Sequence, residues 1–540
     1  MDFNSFLQHS CDRIADKNIF SILTIDPLTN DPKIESITGN LFLKNVTQIS
    51  LNYQLSNLAL KKVLFISENT IDLLIGFFAS LKLSCQSCIA DNKLTLHEMN
   101  QIIENFNPDF IIAEEGKIEF CKKLESIKSH QTILINLNEV KTIPSELGKL
   151  TSSSSIIETQ PQVIVYTSGT SGTPKGVVLD ISSIIFEAQS LQTSFERDYS
   201  KRKCFSILPL NHIYGMTTGI FVSLWTDQEI FLTQSLAPQH LKIILQDQKP
   251  TYLYVVPQFL ALIKNKIANG ISQKSYGIQK LVYLILFINK YLKSKTLANI
   301  FFKEIRNQIG SSIDFIISGG APLREDIFDF FEALGIPICN GYGLSETAPV
   351  IAMNTLKFRK RGSVGKTIQG VKVKIDSSSG ELLISGPNIF KGYYENDSLT
   401  KESFDSNGWF KTGDLGYIDK DNFIFINGRS KSLIVLESGK KIQPEEVESH
   451  YSKLDFVKNC CLLYRKDKVS GVNKLSLVVE IDKSIPTKTN ANYNEILLQH
   501  AEALASFKKP QLFKISQNPL PITTTLKVRR FLIEKNFDTI

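Results

Sequence analysis

Between about residues 51 and 145 the hydrophobic positions alternate between two textures. KKVLFIS, DFIIAEE and QTILINL are short apolar runs of the kind that forms buried strands, whereas DLLIGFFASLKL and LTLHEMNQIIENF space their apolar residues at helical intervals. That alternation predicts βα units on a parallel sheet, an α/β fold class. A second series runs from 163 to 350, where IVYTSG, KCFSILPL, TYLYVVP, DFIISGG and IPICNGYG each end in glycine, proline or a polar turn. Open α/β sheets place ligands at such carboxyl ends. After about residue 362 the pattern shortens to β-like pieces with glycine turns, which predicts a small β-rich subdomain. From about residue 430, CCLLYRK, LSLVVEI and EILLQHAEALASF read as a separate α+β domain, giving an expected division into residues 1–428 and 429–540. TSSSS at 151–155 and SIPTKTNANYN at 484–494 read as exposed connections, and there is no internal repeat.

The longest unbroken apolar run, Leu281 to Ile288, is interrupted by Lys290, well short of the ~18 to 20 residues that span a bilayer. A buried core helix is the ordinary reading. Lys280, Lys290, Lys293 and Lys295 flank the run, however, so peripheral membrane contact through 280–295, with one helix face in the lipid interface, is the other expectation.

Composition narrows the class. A chain of 540 residues with 42% hydrophobic and 21% charged side chains is a folded protein too long for one core. The net charge of +7 comes without a long single-sign block, so nucleic acid is not an expected partner. The amino-terminal segment has neither a basic n-region nor an apolar h-region, and the expected location is cytoplasmic. Eight irregularly spaced cysteines argue against a disulfide framework, and Cys85 and Cys88, lacking a second pair at zinc-ribbon spacing, read as buried thiols.

The most informative chemistry lies in VIVYTSGTSGTPKGVV at 163–178. Backbone N–H groups and hydroxyls of Thr167, Ser168, Gly169, Thr170, Ser171, Gly172 and Thr173 can converge on a phosphate chain, with Lys175 adding a point charge. Pro174 stands where a Walker A loop requires its second glycine, which disfavours a P-loop kinase or ATPase.

YTSGTSGTPKG closely resembles the phosphate loop of the adenylate-forming superfamily of acyl-CoA synthetases, peptide-synthetase adenylation domains and luciferases. Further segments follow in that family's order over roughly residues 20–535. The resemblance implies a large amino-terminal adenylate-forming domain with stacked α/β subdomains and a small β-rich subdomain, followed by a mobile carboxyl-terminal domain hinged near Lys431. It implies ATP, Mg²⁺ and coenzyme A as cofactors. SGGAPL brings Gly320, Ala321 and Pro322 to a strand end where a flat ring could lie, and NGYGLSE brings Gly341, Tyr342, Gly343, Ser345 and Glu346. By resemblance Tyr342 stacks on adenine, Ser345 meets the α-phosphate region and Glu346 helps hold magnesium, roles that suit an aromatic face, a hydroxyl and a hard carboxylate. Asp414 in WFKTGDLGYID and Arg429 in GRSKS are implied ribose contacts, and only eleven arginines occur against fifty lysines. Gly439 is implied to face the thiol acceptor, and His212 in LPLNHIYG to gate the carboxylate.

In NPLPITTTLKVRR, Lys527 matches the lysine that bridges carboxylate and α-phosphate, although Leu526 replaces the usual preceding glycine. KFRKR at 357–361 reads as a solvated face. The stretch LVYLILFINKYLKSKTLANIFFKEIRNQIG is similar to the corresponding segment of long-chain fatty acyl-CoA synthetases. The implied reaction turns a medium- to long-chain fatty acid into acyl-AMP and then into acyl-CoA, with an acyl carrier protein as the alternative acceptor.

Overall fold

The computed structural model describes the chain except residues 27, 28, 30, 130, 131, 138–159, 169–173, 196–201, 431, 438, 439, 468–470, 483–492, 524–527, 538 and 540, and the side chains of 128, 129, 168 and 195. The βα alternation predicted for 51–145 is present. Parallel strands Lys62–Ile66, Gln86–Ala90, Phe110–Ala113, Ile133–Asn136 and Gln162–Ser168 form a sheet that Pro174–Asp180 and the short edge strand Gly392–Tyr393 extend antiparallel. The second series builds a larger sheet. Its parallel centre is Glu229–Thr233, Lys203–Ser206, Tyr252–Val255, Phe315–Ser318 and Ile338–Gly343, so four of the strand ends named from sequence lie along one edge, whereas IVYTSG, grouped with them from sequence, belongs to the first sheet as Gln162–Ser168.

The helix Ile71–Lys82 lies between these sheets and is buried from Leu73 to Leu81. Thr70 caps it by accepting from Leu73 N, and Asp72 and Lys82 suit its two dipole ends. Phe77 meets Phe65 of one sheet edge to face, while Phe78 stacks on Phe221 beside the other at 5.3 Å. A helix apolar on all sides is stable here because each side has a sheet or helix to cover it.

Strands Lys372–Ile375, Glu381–Ser385, Phe410–Ile418 and Ile424–Arg429 form the expected β-rich unit, an antiparallel sheet. Beyond it, Val457–Lys466, Asn473–Ile481 and Leu512–Ser516 form a separate sheet with the helix Pro444–Tyr451 packed on it. The largest buried cluster reaches Ile424, and those of the last unit begin at Ile442, so the described hydrophobic core divides between these residues.

Three further expectations change. The apolar run at 281–288 does form a helix, Tyr276–Leu292, yet it is no core helix, for only Leu286 and Asn289 are buried. KFRKR is an ion-paired strap rather than a solvated face: Arg359 grips Glu332, Lys360 pairs with Asp419 and Asp421, and Arg361 with Asp329 and Glu325. Of the connection expected at 484–494, Tyr493 and Asn494 open the helix Tyr493–His500, while the remainder, like TSSSS at 151–155, lies outside the described residues. All eight cysteines are buried free thiols, and burial pushes Cys85 up to about 12.

Candidate active site

The hairpin Gln162–Ser168 and Pro174–Asp180 flanks the Thr/Ser/Gly loop, pairing in unbroken register from Gln162 with Asp180 to Ser168 with Pro174. Gly169, Thr170, Ser171, Gly172 and Thr173, with the Ser168 side chain, lie outside the described residues. Thr167 and Lys175 face each other across the ladder, where the threonine hydroxyl donates to the lysine carbonyl at 3.5 Å. Gly392–Tyr393 adds to this hairpin at Val177–Val178. A Cβ on Gly176 would come within 2.9 Å of Tyr394 Cβ, so glycine is what permits that close approach.

The edge strand gives the site a residue that sequence reasoning missed. Tyr393 donates to Glu346 Oε1 at 2.8 Å, and Lys175 Nζ lies 5.9 Å from the centre of the Tyr393 ring. Burial and the adjoining Glu346 carboxylate hold the Tyr393 phenol well above its ordinary pKa, so it remains a donor. The only legible hint was an aromatic pair, Tyr393–Tyr394, closing a turn after Lys391 and Gly392.

Glu346 sits in the short turn Ser345–Thr347, with its carbonyl accepting from Phe390 N at 2.9 Å. Asn388 Nδ2 donates to the carbonyls of Thr347 and Val350, both at 3.0 Å, and Val350 N donates to buried Glu187 at 2.6 Å. Neither Glu187 nor Asn388 stood out in the sequence, since each supports the turn from a distant segment. A Cβ on Gly343 would fall 1.6 Å from Pro349 O, which accounts for the glycine after Tyr342.

Asp414 and Arg429 are cross-strand partners, and Arg429 Nε donates to Asp414 Oδ1 at 3.0 Å. The other carboxylate oxygen accepts from Tyr342 Oη at 2.6 Å. Burial raises the Tyr342 phenol far above its ordinary value and Asp414 raises it further. Asp414 is almost fully buried, and its backbone N donates to Thr412 Oγ1 at 3.0 Å. Charge from Arg429 also acts on Glu346 and Tyr393, which puts both clusters in one electrostatic neighbourhood.

Gly319 and Gly320 follow the strand Phe315–Ser318, and Gly320 has φ +80°. A Cβ on Gly319 would lie 3.2 Å from the Tyr214 ring. The SGGAPL turn, with Ala321 and Pro322, therefore abuts the segment that carries His212 two residues before Tyr214. His212 is half-buried, its carbonyl accepting from Met216 N at 3.0 Å. Gly341 lies on the adjacent strand, 4.0 Å from Ser318 O by the same measure.

Lys431, Gly439 and Lys527 lie outside the described residues. The residues around Lys527 do not. Ile522 bridges Val528, and Arg529 N donates to Pro521 O at 2.8 Å, which closes the ends of this tail segment. Arg529 then pairs with Glu98 at 2.9 Å. Burial alone would raise the Glu98 pKa, but hydrogen bonds from Thr95 and Arg529 outweigh it and the net shift is downward. Glu98 belongs to a capping box with Thr95 on the helix Leu96–Phe106. That helix follows Gln86–Ala90, the sheet neighbour of Gln162–Ser168, so the tail docks on the layer that bears the phosphate-loop hairpin.

Among the described residues no cluster of three or more His, Cys, Asp or Glu is arranged to hold a metal. Glu346 fits Mg²⁺ in another way: it is a single hard carboxylate bonded to Tyr393, whose ring lies near Lys175, and Mg²⁺ commonly takes one or two protein carboxylates with substrate phosphates.

The AMP-binding enzyme family profile matches residues 57–394. The chain belongs to that family. As an AMP-binding enzyme it is an adenylate-forming ligase, and its sequence is 26% identical over 415 residues to the long-chain-fatty-acid–CoA ligase FadD15 of Mycobacterium bovis, covering 70% of this chain and 68% of the relative. It is equally 26% identical, over 438 residues, to the chloroplastic long-chain-fatty-acid–[acyl-carrier-protein] ligase AEE15 of Arabidopsis thaliana, covering 68% of this chain and 59% of that one. The fold matches ATP-bound MatB from Rhodopseudomonas palustris with a TM-score of 0.76 at 21% identity over 100% of both chains. It also matches the o-succinylbenzoate CoA synthetase MenE from Bacillus subtilis with a TM-score of 0.72 at 22% identity over 97% of both. No helix among the described residues is long and apolar enough to cross a membrane.

Proposed function

We propose that this AMP-binding enzyme activates a medium- to long-chain fatty acid with ATP and passes the acyl group to the thiol of coenzyme A. A carboxylate oxygen attacks the α-phosphorus, and the bond to the bridging oxygen of pyrophosphate breaks, giving acyl-AMP. The thiol sulfur then attacks the acyl carbonyl, the carbon–oxygen bond to AMP breaks, and the thiol proton leaves to solvent or base. The observation that carries this reading is the convergence of Glu346, Tyr393 and Lys175 with Asp414, Arg429 and Tyr342 beside the phosphate-loop hairpin.

Each residue has a task that suits its chemistry. Tyr342 offers a ring face for adenine while its hydroxyl is fixed by Asp414, whose remaining lone pairs and the Arg429 donors can take up the ribose diol. Thr167 to Thr173 and Ser345 donate to phosphate, and Lys175 adds positive charge. Glu346, oriented by Tyr393, would hold Mg²⁺, which would supply positive charge against the phosphate oxygens. Lys527 bridges carboxylate and α-phosphate, lowering the repulsion between two approaching anions. Gly320, Ala321 and Pro322 present backbone to the base, His212 borders the carboxylate and Gly439 the thiol. The carboxyl-terminal domain, turning near Lys431, exchanges Lys527 for the thiol passage between half-reactions.

Similarity to FadD15 supports the acid class and the acceptor. Equal identity to the acyl-carrier-protein ligase of Arabidopsis thaliana favours a second reading in which the acceptor is a carrier-borne phosphopantetheine thiol. ATP–pyrophosphate exchange across a chain-length series of acids, with mass detection of thioesters formed from free CoA or carrier protein, separates them. Exchange is expected to peak with medium or long chains. Exchange with none of the fatty acids would overturn the substrate assignment, and thioester on carrier protein alone would replace the first acceptor by the second.

A further inference from the structure

The helix Tyr276–Leu292 is apolar on its outer side as well as its inner one. Its inner side is anchored: Asn289 Nδ2 donates to Ala333 O at 2.7 Å and Lys290 pairs with Asp329 at 2.9 Å. Leu284, Phe287, Ile288 and Tyr291 point outward at helical spacing, and Phe287 and Tyr291 keep 61% and 67% of their surface exposed. Ile300 and Phe301 on the next helix, Lys295–Phe301, are likewise more than half exposed. Single exposed apolar residues need no explanation, but a contiguous aromatic and aliphatic face of this kind marks a docking surface.

Charge identifies what docks. From Gln248 to Lys303 the chain contains nine lysines and no Asp or Glu. Three of the lysines are neutralised, Lys264 by Asp326, Lys290 by Asp329 and Lys295 by Asp314. Lys266, Lys274, Lys280, Lys293 and Lys303 are exposed, and none has an ion-pair partner among the described residues. Lys280 lies one turn before Leu284 on the outward face, where its stem can lie along apolar surface while the ammonium reaches a headgroup. A second copy of this chain would set lysine against lysine, which like-charge repulsion opposes. The seventeen-residue helix is about 25 Å long, too short to span a bilayer but long enough to lie flat in its interface.

We propose that the face formed by Tyr276–Leu292 and Lys295–Phe301 docks the enzyme on an anionic phospholipid surface, with the aromatic and aliphatic side chains in the interface and the unpaired lysines on the headgroups. The proposal stands apart from the acid and acceptor assigned above.

The test is co-sedimentation of the full chain with vesicles of phosphatidylcholine alone or of phosphatidylcholine and phosphatidylglycerol in equal parts. The variants are Phe287→Ser with Tyr291→Ser, and Lys280→Glu with Lys293→Glu. Thermal melts and ATP–pyrophosphate exchange with a water-soluble acid check that each variant remains folded. The wild type is expected to prefer the anionic vesicles, salt to weaken that preference, and each double substitution to lower partitioning by about tenfold. Equal binding to both vesicle types, or variants that bind as the wild type does, would overturn the proposal. So would a wild-type dimer in sedimentation velocity that Phe287→Ser with Tyr291→Ser converts to monomer.

Discussion

Tyr393 orients Glu346 through a single hydrogen bond, and the loss of that bond is the smallest change the site can report. Tyr393→Phe is expected to lower kcat/KM for acyl-AMP formation by about tenfold and to raise the Mg²⁺ concentration needed for half-maximal rate. An unchanged Mg²⁺ requirement would remove Tyr393 from the metal's support.

Glu187 gives a pH prediction. Burial holds its carboxyl well above the ordinary 4.5 despite the donor from Val350 N, and its Oε2 and Asn388 Oδ1 are both buried without a partner. A proton on Glu187 accounts for both oxygens. Because the folded state holds this proton while the unfolded state releases it above about pH 4.5, its contribution to stability is complete below that pH and declines as pH rises through the folded-state pKa. Melting curves should therefore show Glu187→Gln gaining on the wild type at pH 8 relative to pH 5. Glu187→Ala should cost about 3 kcal/mol, because Val350 N loses its acceptor and a cavity opens. The candidate site residues were legible because they stand in contiguous motifs that resemble those of the AMP-binding family. Tyr393, Glu187 and Asn388 were not, because they act on that constellation across long sequence separations.

Among elements, the turn after Ile338–Gly343 is the most constrained. At Gly343 any side chain would collide with the backbone carbonyl of Pro349, and no rotamer can relieve the clash. Gly343→Ala should cost about 3 kcal/mol or more and displace Glu346, which a melting shift together with a raised KM for ATP would register. Strands and most helices were readable from periodicity because each has a layer on a defined side. For the helix Tyr276–Leu292 the same reasoning left a core helix and an interfacial one both open, since an all-round apolar pattern does not say what its outer side faces. Ile71–Lys82, also apolar on all sides, is by contrast buried from Leu73 to Leu81, so tertiary placement separates the two helices.

For the whole molecule, the core divides between Ile424 and Ile442, and the contacts across that division include polar ones suited to breaking and reforming. Arg324 donates to Ser452 O, and Arg529 reaches Glu98. Both partners of the second pair are about one-third exposed, so the contact is worth only ~1 kcal/mol or less. Arg529→Ala or Glu98→Ala should therefore slow acyl-AMP formation by at most about fivefold while sparing thioester formation from supplied acyl-AMP. A double-mutant cycle should show the two losses to be non-additive. The change of strand texture near residue 430 falls where the described buried clusters part, between Ile424 and Ile442, but the docking of the tail on the Leu96–Phe106 helix had no such sign, because one arginine and one glutamate far apart carry no pattern.

The central claim is that Lys527 serves only the first half-reaction and is carried to and from it by domain movement. Lys527→Ala, assayed for ATP–pyrophosphate exchange and separately for thioester formation from supplied acyl-AMP, tests it most directly. The account predicts that exchange falls to background while thioester formation stays within about twofold of wild type. Equal loss of both half-reactions in a variant with an unchanged melting temperature would contradict it.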